Sequence, residues 1–498
     1  MKTLSIRSIN SEVFFRLLFV ALLFVAALIT ISQIISNYYN YGAESINFVS
    51  LSRLSRSQVY VSDITELPLL ISSYSPMLFG LLYPLLKIFG LQTIPEVVSL
   101  GRIFILFLFL LFLAIENFFF KKYFPKYYNL GIFLFSSLWF FVLFPGDILS
   151  LKPDFLAFLF EFLAFAYFYR AYFELPKKPI DFYLSPIFAG FAVAAKLNTL
   201  GVFFGIVTFL IAVRKFKGAL LYSLVTTATV LCFFLIFSWQ LGERFITGVL
   251  VSTKTIPPLG IDLVNQIVSL PQKVFYPYVL FYLLVAIGLW ILFKDNVQKS
   301  LLFGSCLGAS FLLATMGQVK VGAFLNYYFG FFTLALIPVS IAIKYLFQAE
   351  RSSFLIRPLQ IVLAFYILFN ILQALLFPGA VFLNFLKNYP YEEARAYIQE
   401  NYPDGYVYTA ESDHPAPLHF LDRTLLGPWA ETQLNIVPAF HHYIPVIREK
   451  LSRYRFSVAV KLGSGCENWR PSGIFFEETK HLEHLQKKIK KICIFSDR

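Results

Sequence analysis

Residues 151–178 read LKPDFLAFLFEFLAFAYFYRAYFELPKK. Pro153 followed by Asp154 makes a helix start, because proline suits the first turn and an acid suits the positive end of the helix dipole. The run that follows is mainly apolar for about twenty residues, the length an α-helix needs to cross the hydrocarbon core of a bilayer. It closes on Arg170, Lys177 and Lys178, a basic turn of the kind that stays on the cytoplasmic side. This one segment predicts a membrane span, its direction and a polar entry.

Working outward, the same pattern recurs. Apolar segments at roughly 13–36, 74–90, 99–120, 129–145, 153–171, 183–196, 199–213, 218–240, 275–293, 299–316, 322–346 and 357–378 predict an all-α polytopic bundle. Hydrophobic residues make up 58% of the 498 and charged residues 14%, whereas a soluble domain is about a quarter charged. Mean hydropathy is +0.68. The 60 phenylalanines suit lipid-facing helices and interfacial belts. The net charge of +13 collects between spans, not in a soluble patch with interleaved aromatics, so nucleic acid is not an expected partner. The first apolar run, to about Ile35, is too long for a signal peptide and lacks a small-residue cleavage site. It reads as a signal anchor.

Charge then sets the topology. Basic clusters lie at Arg7/Arg16, Lys121–Lys126, Arg170–Lys178, Arg214–Lys217, Lys294/Lys299 and Arg351/Arg357. If all are cytoplasmic, one early segment does not cross. The segment 74–90, short and holding Pro76 and Pro84, is expected to dip in and return, unless the 183–213 pair is organised differently. The N-terminus is then inside, and loops 37–73, 146–154, 196–199, 241–274 and 317–326 are outside. The expected fold is a bundle of about 11–13 transmembrane helices over residues 1–380, in the plasma (inner) membrane. A small extracytoplasmic α/β domain over 381–498 follows it.

That domain is read as helix over Tyr391–Asn401, strand over Gly405–Thr409, helix starting at Leu418–Leu421, helix over Tyr443–Tyr454 and strand over Phe456–Val460, in a partly parallel sheet. All six histidines lie here (414, 419, 441, 442, 481, 484). His414/His419 and His441/His442 lack the helical spacing of a zinc pair. His481 and His484 have a helix-compatible spacing but no further ligands, so no metal site is assigned. Cys232 and Cys306 are expected to be packing residues. Cys466 and Cys493 are either a disulfide, in an oxidising compartment, or two free thiols.

Polar residues gather on the outer side. Glu44 lies just past the first helix, with Asp63 and Glu66 in the same loop. A carboxylate on a rigid helix end at the membrane surface can take a proton from an acceptor hydroxyl, or it can simply be solvated. Pro145-Gly146-Asp147 and Leu151-Lys152-Pro153-Asp154 converge at the outer ends of two helices. Asp154 is either a helix-start residue or part of a polar site with Lys152. Ionisable side chains at membrane depth are costly and thereby functional candidates. Lys196 with Asn198, and Lys320 with Asn326, Tyr327 and Tyr328, interrupt apolar stretches outside. Each lysine either snorkels to the headgroups or pairs with an anion such as a lipid phosphate.

The order of these motifs resembles the GT-C superfamily of polyprenyl-phosphate-sugar-dependent membrane glycosyltransferases, which includes the protein O-mannosyltransferases and the aminoarabinose transferases. The likeness covers about residues 13–380. An acid opens the first outer loop (Tyr41-Gly42-Ala43-Glu44), and Tyr74-Ser75-Pro76 leads to Phe89-Gly90. Gly101-Arg102 follows, then Lys152-Pro153-Asp154-Phe155-Leu156-Ala157, Ala194-Ala195-Lys196-Leu197-Asn198-Thr199, and Gly322 to Tyr328. The family often has Asp-Glu where this chain has Ala43-Glu44, so Asp63 and Glu66 stay in reserve as the base. The resemblance implies inverting transfer of a sugar from a polyprenyl-phosphate donor to a hydroxyl on a glycan, lipid or protein acceptor, at the outer face. It assigns Glu44 as base and Lys196, Lys320 or Arg102 to the phosphate, with Lys152, Asp154, Asn326 and Tyr327 beside them. It implies no catalytic metal and no cofactor. Competing readings are a transporter or flippase of lipid-linked saccharides, which lacks the expected pair of matching broken helices, and a non-catalytic assembly subunit.

Overall fold

A computed structural model of the chain describes residues 11–35, 75–91, 94–144, 148–176, 178–241, 245, 261–318, 325–348, 356–376, 391–403, 406–409, 444–453, 456–462, 484–489 and 492–496. Its apolar part is built from α1 (Ser11–Ile35), α2 (Pro76–Phe89), α3 (Ile94–Tyr123), α4 (Leu130–Leu143), α5 (Asp154–Phe173), α6 (Pro179–Ala195), α7 (Gly201–Ala212), α8 (Phe216–Leu241), α9 (Ile261–Leu270), α10 (Val279–Asp295), α11 (Val297–Gln318), α12 (Phe329–Gln348) and α13 (Ile356–Leu376). Among the described residues, eight spans are long and apolar enough to cross a membrane, and α2, α4, α6 and α7 are shorter apolar helices. Each predicted segment coincides with one of these twelve. Helix α9 lies in the stretch read as an outer loop, and it runs through a π turn at Pro271–Phe275 and a 3-10 turn at Tyr276–Tyr278 into α10.

The ends of the early helices explain the short segment. Arg102 Nη1 donates to the Gln33 carbonyl at 2.5 Å, and Ser99 Oγ donates to the Ile34 carbonyl at 2.9 Å. Two orphan carbonyls of the last turn of α1 are thereby satisfied by α3, and a cation sits at the negative end of the α1 dipole. The chain between α1 and α3 therefore leaves and returns on one side. Helix α2 has 14 residues, ~21 Å, well short of the ~30 Å core. Ser75 caps its start by accepting from the Met77 N–H, and Pro76 follows at the first helical position. Gly90, at φ 64°, ends it in a Schellman motif, with the Leu91 N–H on the Leu86 carbonyl and the Gly90 N–H on the Lys87 carbonyl.

Helix α12 is the centre of the bundle, with 89% of its span buried against 11% for α8. It lies close to α10 because Gly288 faces the backbone of Pro338: a Cβ there would stand 2.0 Å from the Pro338 carbonyl oxygen. Gly205 of α7 is held equally close to the Cys306 backbone of α11, at 2.3 Å. Phenylalanine rings fill the rest. Phe144 packs against Phe329 and Phe332 at 4.9 Å between centroids, and Phe119 meets Phe162 edge-on at 5.5 Å. Cys306 is buried as expected, whereas Cys232 is exposed on α8, the most peripheral span, and packs no core.

One end of the bundle carries the basic turns. There Lys122 pairs with Glu174 at 2.7 Å, Lys126 pairs with Asp295 at 3.0 Å, and Lys344 donates to the carbonyls of Lys126 and Tyr128. These contacts join the ends of α3, α5, α10 and α12. Helix α7 also stops at this end, in a second Schellman motif: the Lys215 N–H meets the Leu210 carbonyl and the Arg214 N–H the Ile211 carbonyl. The left-handed position is Arg214, at φ 60°, the one non-glycine residue with positive φ among the described residues.

The C-terminal part holds α14 (Tyr391–Asn401), β1 (Tyr406–Thr409), α15 (Ile444–Ser452), β2 (Phe456–Leu462), β3 (His484–Ile489) and β4 (Ile492–Ser496). Sheet order is β1-β2-β4-β3, with β1 and β2 parallel and the other pairs antiparallel. The partly parallel sheet and its predicted elements hold, while Leu418–Leu421 lie outside the described residues. His484 opens strand β3, so it does not stand on the helix that its spacing from His481 suggested, and His481 lies outside the described residues. Cys466 lies outside the described residues.

Candidate active site

Helices α5 and α6 run antiparallel, and at the end away from the basic turns their termini carry opposite charges. Asp154 is the first residue of α5, and Lys196 caps the C-terminus of α6. The acid faces the positive dipole end of its own helix and the ammonium the negative end of its own. The two close on each other: Lys196 Nζ donates to Asp154 Oδ1, with side chains only 10% and 4% exposed. Asp154 is thus both a helix-start residue and half of a buried ion pair. Lys152 is buried in the turn just before it.

The turn after Lys196 is fixed by its own carbonyl, which accepts from the Thr199 N–H at 2.9 Å and the Thr199 hydroxyl at 2.7 Å. Helix α7 then starts at Gly201 with Leu200 as cap, a residue without an acceptor. Glu161 of α5 supplies one instead, since its Oε1 accepts the Val202 N–H at 3.2 Å. An acid at a helix N-terminus satisfies an orphan donor and suits the dipole. Glu161 stands seven residues after Asp154, two turns down the same face.

Tyr327 completes the cluster. Its ring centroid lies 5.3 Å from Lys196 Nζ, with Phe158 on another side at 6.0 Å. The ring is seated against Gly317, where a Cβ would come within 2.5 Å of it. Tyr328 is buried and its hydroxyl donates to Thr315 Oγ1 at 3.0 Å. Ser310 Oγ is buried without a hydrogen-bond partner among the described residues, and it lines the same crevice as Glu161, Lys196 and Thr199. The crevice has a volume of about 20 Å³. That is room for about one water held by several polar groups, and too little for a sugar. What it offers chemically is a cation kept at membrane depth by a carboxylate and an aromatic face, open to a further anion only through rearrangement or from the side.

The structure therefore joins three of the sequence-derived residues, Asp154, Lys196 and Tyr327. Arg102 is buried and its described bond runs to α1. Glu44, Asp63, Glu66 and Lys320 lie outside the described residues, as does the side chain of Asn326. Sequence reasoning missed Glu161, although an acid inside an apolar span is a signal by itself. It also missed Glu116, buried in α3 with neither carboxyl oxygen hydrogen-bonded among the described residues.

No protein-family profile matches the chain, and no curated protein does. Solved structures do. The apo crystal structure of ArnT from Cupriavidus metallidurans superposes with a TM-score of 0.61 at 11% identity, over 97% of both chains. The same protein bound to undecaprenyl phosphate gives 0.59 at 11% identity, over 97% of this chain and 98% of that one. The oligosaccharyltransferase of Archaeoglobus fulgidus gives 0.51 at 12% identity, over 89% of this chain and 69% of that one. Both proteins are GT-C superfamily members. At these identities the likeness establishes a shared fold, that of a polytopic bundle of apolar helices.

Proposed function

We propose that the chain is a GT-C-type membrane glycosyltransferase that moves a sugar from a polyprenyl-phosphate donor to an acceptor hydroxyl. The observation that carries this reading is the Asp154–Lys196 pair beneath Tyr327, in a bundle sharing the fold of a protein solved with undecaprenyl phosphate. A lysine at membrane depth, already steadied by one carboxylate, suits a second anion that arrives in the bilayer on its own lipid tail.

In the reaction, a carboxylate removes the proton of the acceptor hydroxyl. The freed oxygen attacks the sugar C1, and the C1–O bond to phosphate breaks as the polyprenyl phosphate leaves with the electron pair. One displacement inverts C1. Glu44 is the proposed base, with Asp63 and Glu66 as alternatives. Lys196, with Lys320 and Arg102, stabilises the charge that develops on phosphate, and Lys152, Asn326 and Tyr327 stand beside it. Asp154 orients Lys196. The domain over 381–498 lies on the same, extracytoplasmic side as this chemistry, and the N-terminus and basic turns are cytoplasmic.

The test uses membranes containing the full chain, incubated with a panel of radiolabelled polyprenyl-phosphate sugars and acceptors. Label transferred to an acceptor, and lost in Glu44→Gln at equal protein level, supports the transferase and its base. Transfer retained in Glu44→Gln but lost in Asp63→Asn or Glu66→Gln reassigns the base. Label that crosses the membrane yet stays on its lipid sinks the reading in favour of a transporter.

A further inference from the structure

At the end of the bundle opposite the Asp154–Lys196 pair, the C-terminus of α5 and the N-termini of α6 and α8 surround a cavity of about 820 Å³. Asp154 and Tyr172 lie on one helix eighteen residues apart, roughly 27 Å, so the cavity and the candidate site belong to opposite membrane faces. Four cations line it: Lys178, Arg214, Lys215 and Lys217. Among the described residues no acid lines it, and the nearby acids are engaged elsewhere. Asp181 is buried against Arg170 at 3.3 Å, and Glu174 takes Lys122, Tyr123 and Arg170. None of the four has an ion-pair partner among the described residues. Lys215 Nζ rests 4.2 Å from the centroid of Tyr172.

The tendency of basic residues to stay cytoplasmic accounts for cations at this end. It does not account for their convergence on one open cavity, nor for Arg214. The Schellman motif that ends α2 uses glycine at its left-handed position, and the same motif at the end of α7 uses Arg214, in a conformation that L side chains rarely adopt. A guanidinium is thus placed at the cavity where backbone preference alone favours glycine.

An apolar track leaves the same place. Phe216 lines the cavity, and Phe216, Leu220 and Leu224 are 62%, 63% and 58% exposed, at i, i+4 and i+8 on α8. Phosphate chemistry at the mouth and a hydrocarbon stripe running toward the membrane centre describe one kind of molecule. We propose that this cavity seats the phosphate headgroup of an acidic phospholipid, with an acyl chain laid along Phe216, Leu220 and Leu224. A free phosphate shares the headgroup chemistry but has no use for the stripe. The site is independent of the transferase reading.

The test is to reconstitute the full chain in nanodiscs of equimolar phosphatidylcholine and phosphatidylglycerol and to weigh the retained lipids by native mass spectrometry. Wild type retains phosphatidylglycerol preferentially. Arg214→Gly, which relaxes the backbone and keeps the fold, lowers that preference roughly fivefold, the worth of one cation near a lipid surface. Adding Lys215→Gln lowers it by about the same factor again. Melting in phosphatidylcholine-only discs checks that neither variant is unfolded. Equal retention by wild type and Arg214→Gly overturns the proposal. So does displacement of the retained lipid by millimolar inorganic phosphate, which identifies the ligand as soluble.

Discussion

Glu161 of α5 accepts the backbone N–H of Val202 at 3.2 Å and so caps α7 from another helix. A carboxylate two turns below Asp154 therefore fixes the start of the helix that follows Lys196, and the ion pair and the cap share one frame.

That arrangement separates charge from hydrogen bonding. Glu161→Gln keeps an acceptor oxygen for Val202 and is expected to shift the melting temperature little. Glu161→Ala leaves a buried N–H unsatisfied, at about 1–3 kcal/mol, and lowers it clearly. Equal melting of both variants in detergent or lipid would show that the cap does not support α7.

Breaking the Asp154–Lys196 pair from either side takes a charged partner from a buried charge, which costs about 3–5 kcal/mol. Asp154→Ala and Lys196→Ala should each destabilise strongly, and the double variant should be less destabilised than their sum. Additivity in the double-mutant cycle would mean that the two groups do not interact.

Gly288→Ala places a methyl group against the Pro338 backbone, and the two helices must separate. Overpacking of this kind costs about 1–3 kcal/mol or more. Gly304→Ala, on α11 with open space around its position, is the matched control and should melt no lower than wild type.

Glu116 makes the opposite prediction. Its carboxyl group is buried without a partner among the described residues, so Glu116→Leu should stabilise the protein, by about 1–3 kcal/mol of relieved desolvation. Lower stability in that variant would mean that Glu116 meets a group placed by another part of the chain.

Hydrogen bonding from Lys122 holds the Glu174 carboxyl below its usual range, with Tyr123 and Arg170 adding to the effect. The bound carboxylate therefore stabilises the fold above the unfolded value of about 4.3, and that contribution disappears as pH falls through the lower folded value. The pair is half-exposed, so the effect is at most about 1 kcal/mol. Lys122→Gln should melt lower than wild type at neutral pH, with the gap closing on acidification. A gap that stays constant would refute the assignment.

The bundle was legible because lipid asks for long apolar runs, and each of those runs became a helix. The shortness of the 74–90 segment was legible too, and it forms the 14-residue helix α2. Asp154 and Lys196 stood out singly, yet nothing in their spacing of forty-two residues says that they touch. Their contact follows from the antiparallel packing of α5 on α6. Glu161 was hidden for a different reason: its partner is a backbone N–H, which has no residue signature. Arg214 was read only as one of several topological charges, because a left-handed φ cannot be seen in a sequence where glycine is not the residue that adopts it.

The central position of α12 has a consequence for how the protein is made. Residues 329–348 are translated after most of the spans they touch, yet they form the helix around which α4, α5, α10 and α11 assemble. The earlier helices must enter the membrane and wait, with small residues such as Gly288 facing a place not yet filled. Biogenesis of this chain is therefore decided late, and a product that stops short of Phe329 is a substrate for membrane quality control, however well the eleven helices before it form.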